Sequence, residues 1–216
     1  MIDVKALLEE IKASPYEEIE ICAPHTGVVE FTAKTAGMKV LGPTGTWKEK
    51  PGTLLGHIVR ERNKKPITAP QKGEIKDIAL ELSGRFVESG TRLMTLRHFL
   101  SRDEVIEAIL KKTLHLVTAP EKAKYYFVPE VDQKIKASGI RSVKVASGMD
   151  LFIMSRMKRE AVVGYKGPEG QIYSVYFGHN ENVDSGQPLI GVCPGDQLSL
   201  IQEVVAQVRS EWKEID

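Results

Sequence analysis

The sequence predicts a mainly β protein built as two tandem copies of one small antiparallel domain, with helices at the start, middle and end. Three observations predict it: an internal repeat, short strands closed by Gly, Pro and polar turns, and three stretches with apolar residues at helical spacing. The repeat is read from Val87-Glu88-Ser89-Gly90-Thr91-Arg92-Leu93-Met94, which matches Val183-Asp184-Ser185-Gly186-Gln187-Pro188-Leu189-Ile190 at an offset of 96 residues (186 − 90). Cys22-Ala23-Pro24 matches Thr118-Ala119-Pro120 at that offset, and Gly52 with Leu54-Leu55 matches Gly148 with Asp150-Leu151. Gly73 and Gly170 stand 97 apart (170 − 73), which one inserted residue in the turn from Gly164 to Gly170 explains.

The elements follow in order. Residues 1–15 predict a helix, with Asp3 as its cap and Val4, Leu7, Leu8 and Ile11 on one stripe. The first copy, 16–98, offers strands Glu18–Cys22, Gly27–Phe31, Leu54–Val59, Pro66–Thr68, Glu74–Ile78 and Leu93–Leu96. A linker helix over 99–113 starts at Ser101, which with Glu104 makes a capping box ahead of Val105, Ile106, Ile109 and Leu110. The second copy, 114–195, offers Leu114–Thr118, Lys124–Val128, Ser142–Val145, Leu151–Met154, Glu160–Val163, Gln171–Phe177 and Leu189–Val192. Residues 196–216 predict a closing amphipathic helix, in which Ile201, Val204, Val205, Val208 and Trp212 recur every three or four residues and need a sheet or a partner to cover them.

Composition narrows the function. With 216 residues, 30 Lys+Arg against 29 Asp+Glu and a formal net charge of +1, the chain lacks the basic excess of a protein held by phosphate contacts. No nucleic-acid partner is expected. Its apolar runs fall far short of the roughly 20 residues of a membrane helix, and Met1–Lys12 lacks the apolar stretch of a signal peptide, so a cytoplasmic protein is expected. Cys22 and Cys193 make neither a disulfide framework nor a metal site. The histidines His25, His57, His98, His115 and His179 show no metal-ligand spacing, and Gly164–Gly170 lacks the Gly-Lys-Ser/Thr of a phosphate loop. Tyr125, Tyr126 and Phe127 read as core and rim of a sheet, since no cationic excess surrounds them as on a nucleic-acid stacking platform. No nucleophile elbow or acid pair appears, so an active site of the chain's own is not expected.

One hairpin carries the chemistry. Ser155–Glu160 is the polar tip between the apolar runs Leu151–Met154 and Ala161–Val163, which projects Met157 and Lys158 into water. By itself such a tip reads equally as a solvated charged turn. Joined to the later Gly-Gln-Pro-Leu-Ile run, it resembles the biotinyl/lipoyl attachment domain family, in which a Met-Lys turn is followed at a set spacing by Gly-Gln-Pro-Leu. Here Lys158 and Gly186 are 28 residues apart (186 − 158), and Gly186-Gln187-Pro188-Leu189-Ile190 is present in full. The resemblance covers about residues 140–193, and the chain departs from it at Arg156 and Arg159, where the family usually has small, acidic or apolar residues.

The resemblance implies two tandem barrel-sandwich domains and a biotin carrier, with Lys158 as the covalent attachment point and Met157 as a ligase contact. Lipoate is the less favoured cofactor, because the lipoyl pattern has an acidic residue before the lysine. It further implies partners: a biotin protein ligase, and biotin carboxylase with carboxyltransferase or decarboxylase subunits. The first copy has Glu61 and Arg62 at the shifted positions, and a guanidinium does not form the amide that links biotin to a lysine, so this copy is expected to be structural. Lys64, near its tip, is the second candidate. The alternative function is an unmodified barrel-sandwich adaptor or scaffold.

Overall fold

A computed structural model describes residues 3–214, and Met1, Ile2, Ile215 and Asp216, the ends of the two expected terminal helices, lie outside the described residues. Among the described residues are four antiparallel four-stranded sheets and four α-helices. The chain divides into two compact units, one made of Ile11–Ser101 with Glu214 and the other of Arg102–Lys213 with the N-terminal residues as far as Glu10.

In the first unit the strands are β1 (Tyr16–Cys22), β2 (Gly27–Phe31), β3 (Lys39–Val40), β4 (Leu54–Arg60), β5 (Asn63–Thr68), β6 (Gly73–Ile78), β7 (Phe86–Val87) and β8 (Arg92–Phe99). They pair as β1-β8-β6-β3 and β5-β4-β2-β7. The second unit has β9 (His115–Thr118), β10 (Ala123–Phe127), β11 (Lys144–Val145), β12 (Asp150–Arg156), β13 (Arg159–Gly164), β14 (Gly170–Val175), β15 (Asn182–Val183) and β16 (Pro188–Cys193). These pair as β9-β16-β14-β11 and β13-β12-β10-β15, the same orders strand for strand. Register shifts recur too: between Leu54 and Gly56 on β4, and between Asp150 and Phe152 on β12.

Inward positions supply each core. Val29, Leu55, Ile58, Ile75, Leu93 and Leu96 fill the first, and Tyr125, Leu151, Phe152, Ile172, Leu189 and Val192 the second. Burying a large side chain of this kind stabilises by about 1.5–3 kcal/mol, which fixes which face of each strand turns inward. The repeated sequence landmarks have backbone tasks. Gly90 and Gly186 adopt φ of +86° and +82°, and their N–H groups donate to the Ala23 and Ala119 carbonyls, both at 2.8 Å. Ala23 and Ala119 donate in return to Thr91 and Gln187, again at 2.8 Å. Ser89 and Ser185 hydroxyls bond the Pro24 and Pro120 carbonyls. The Ala-Pro loop and the Ser-Gly turn thus clamp each other identically in both units.

The helices are α1 (Val4–Ala13), α2 (Arg102–Thr113), α3 (Pro129–Ser138) and α4 (Leu198–Glu211). Asp3 Oδ1 accepts from the Lys5 and Ala6 N–H groups, capping α1. The expected apolar stripes of α2 and α4 are buried, and the two helices pack together. Trp212 falls beyond the end of α4. α3 departs from the three-helix expectation. Its one buried side chain is Val131, so the apolar stripe is too thin to register as a periodicity, and Pro129 at its start and Gly139 at φ +81° bound it. This helix lengthens the path to β11, which trails β3 by 105 residues (144 − 39). The loop after β11 is shorter by the same nine (105 − 96), which restores the 96-residue spacing at β12. Among the described residues no helix is long and apolar enough to cross a membrane.

Candidate functional site

Strands β12 and β13 form the expected hairpin. Arg156 pairs with Arg159, leaving Met157 and Lys158 as the two residues of the turn, with φ of +47° and +63°. Both central residues are left-handed, as a type I′ turn requires, and this twist matches that of the flanking strands. For residues with a Cβ the conformation costs about 1–2 kcal/mol each. Met157 is 88% exposed, so its thioether carries no packing load. Lys158 is exposed as well, and among the described residues its amine has no hydrogen bond or ion pair.

Neighbouring polar groups of the second unit differ in this respect. Arg156 Nη1 donates to Glu121 Oε2 at 2.6 Å, Lys122 Nζ lies 2.7 Å from Asp184 Oδ1, and Lys124 Nζ donates to Asn180 Oδ1 at 2.8 Å. The Tyr126 hydroxyl donates to the same Asn180 oxygen at 3.2 Å. Behind them Tyr125 is buried, its hydroxyl donating to the Glu121 carbonyl at 2.7 Å, and burial raises its pKa above the usual phenol range. This anchored base holds the hairpin's origin.

The first unit reproduces the turn with other side chains. Arg60 pairs with Asn63, and Glu61 and Arg62 adopt φ of +50° and +67°. The strained turn therefore belongs to the fold and does not by itself mark an attachment point. Lys64, the second candidate, sits on β5 and not at the apex. Its Nζ donates to Glu30 Oε2 at 2.8 Å, and that hydrogen bond, with the lysine's charge, holds the Glu30 carboxyl below its ordinary pKa. His98 is buried with Nδ1 2.6 Å from the Lys72 carbonyl oxygen, and His179 stacks edge-on to Tyr126. The pairing of Glu121 with Arg156 has no signal in the sequence, because the two residues stand 35 apart and the repeat offset sets Glu121 opposite His25.

No family model matches the chain, and no curated protein matches it. A solved structure described as a single-chain, multi-domain long-chain acyl-CoA carboxylase aligns over 60% of this chain and 15% of that one, at 16% identity and a TM-score of 0.31. The chain thus spans a small fraction of that protein's length. A likeness of that size carries no argument for fold or activity.

Proposed function

We propose that the chain is a biotin carrier whose two units are tandem barrel-sandwich domains, with Lys158 as the attachment lysine. The carrying observation is the Met157-Lys158 turn, where an exposed amine without a partner stands at the apex of a two-stranded finger. These residues fit the group: the amine is sterically open, and Met157 beside it offers a ligase an apolar contact at little cost in packing. Attachment forms an amide between Lys158 Nζ and an activated biotinyl carboxyl, with loss of one proton from nitrogen and departure of the activating group. Bound biotin would supply a site that carries a carboxyl group between partner enzymes. The chain's own task is positioning, because a stiff hairpin sets where the tethered arm starts and so raises its local concentration at each partner. On this reading the partners are a biotin protein ligase and carboxylase-type subunits, and the chain has no turnover of its own.

Intact mass spectrometry after co-expression with an active biotin ligase and excess biotin tests the reading. One biotinyl group should be added, and Lys158→Arg should abolish it while leaving the melting temperature unchanged. An unmodified, streptavidin-negative natural chain under those conditions overturns it in favour of an adaptor.

A further inference from the structure

Below each apex, the inner faces of the hairpin strands meet the loop clamped by the Ser-Gly turn. In the second unit that loop contributes Glu121, whose carboxylate accepts from Arg156 at 2.6 Å. A shift of 96 residues carries Arg156 to Arg60 but Glu121 to His25, so the guanidinium is retained and the carboxylate is lost. The same shift carries Ala161 to Lys65, whose Nζ lies 3.3 Å from His25 Nε2. His25, Thr26, Arg60, Glu61, Asn63 and Lys65 line an open cleft of about 270 Å³ above the buried Ile58. Glu61 is the acid of this lining: its Oε1 stands 3.8 Å from Arg60 Nε in a loose ion pair, too long for a hydrogen bond and, with the carboxylate side chain 85% exposed, screened by solvent.

We propose that this cleft binds a small organic carboxylate between Arg60 and Lys65, in the place that Glu121 takes in the other copy. The second unit shows the contact formed within the chain; the first keeps the cation, adds a second and has His25 in place of the Glu121 carboxylate, leaving only the loose pair with Glu61. Arginine favours carboxylates by offering two parallel N–H donors, and Asn63 and Thr26 add neutral hydrogen-bonding groups at the rim. The volume lies below the roughly 300–1,000 Å³ of pockets for drug-sized ligands, which suits an acid of a few carbons. The inference does not depend on modification of Lys158.

The test is titration of the full ¹⁵N-labelled chain with succinate, with sodium chloride at matched ionic strength and inorganic phosphate as parallel arms. Succinate should shift the Asn63 and Lys65 amides saturably, with a dissociation constant of about 1 mM, and leave those of Arg159 and Ala161 unmoved. His25→Glu puts a carboxylate back into the chain and should weaken succinate at least about tenfold; Lys65→Ala, at an exposed position, should do the same by removing a cation. Shifts reproduced by sodium chloride, saturation by phosphate alone, or undiminished binding in both variants would overturn the assignment.

Discussion

Lys158 and Arg62 occupy the same position of the same left-handed turn, yet only the first can be acylated to an amide. If turn geometry is what a ligase reads, chemistry at this one position separates the two copies. The double variant Glu61→Met, Arg62→Lys should therefore accept a second biotinyl group, seen as a second mass increment that peptide mapping assigns to position 62. Retention of a single increment at Lys158 would mean that the turn is not sufficient. Neighbouring charge then becomes the discriminator: Arg156 is held by Glu121, whereas below the first copy's tip the Lys65 ammonium, 3.3 Å from His25 Nε2, adds positive charge where a ligase would dock.

Strand-level constraints explain why the repeat survives where it does. Gly170 on β14 lies against β16, and a Cβ there would collide with the Cys193 carbonyl oxygen; Gly73 has the same relation to Arg97 in the first unit. Gly186 has open space for a Cβ but requires φ of +82°. Gly186→Ala should accordingly cost about 1 kcal/mol, while Gly170→Ala, which forces two backbones apart, should cost about 2–3 kcal/mol. Urea unfolding of the two variants checks that order, and equal losses would refute the backbone reading of Gly170. These positions were readable in the sequence because steric rules fix them whatever packs around them, and so was the hairpin, since a polar tip between two apolar runs has few other folds. Helix α3 was not, because one buried valine gives no periodicity, nor were the two-residue strands β3, β7 and β15, which are defined by their partners more than by their own residues; β11 lies inside the expected strand Ser142–Val145. The site was half readable: Met157 and Lys158 followed from local pattern, but the Glu121–Arg156 contact joins residues 35 apart and needs the fold.

Across the whole molecule, the ionisable groups that burial perturbs are distributed unevenly. Tyr125, Tyr165 and Tyr176 all have phenol pKa values raised, with desolvation as the largest cause, and all three belong to the second unit. A buried phenol resists ionising, so its folded pKa lies above the unfolded value of about 10. The folded state then holds more protons than the unfolded one as the pH passes that value. The stability tied to these phenols, present in full below about pH 10, is therefore lost progressively above it, and the Cys193 thiol, pushed up by burial in the same unit, adds a loss of the same sign that begins lower. Methyl resonances report each core separately: Leu151, Ile172 and Leu189 for the second unit, Leu55, Ile75 and Leu93 for the first. Raising the pH past about 10 should broaden or shift the first set before the second-named set responds, in step with tyrosinate absorbance. Tyr176→Phe, which deletes one of the three phenols, should move that transition to higher pH. Simultaneous loss of both sets, or prior loss of Leu55, Ile75 and Leu93, would show that base sensitivity arises from net charge rather than from these desolvated phenols.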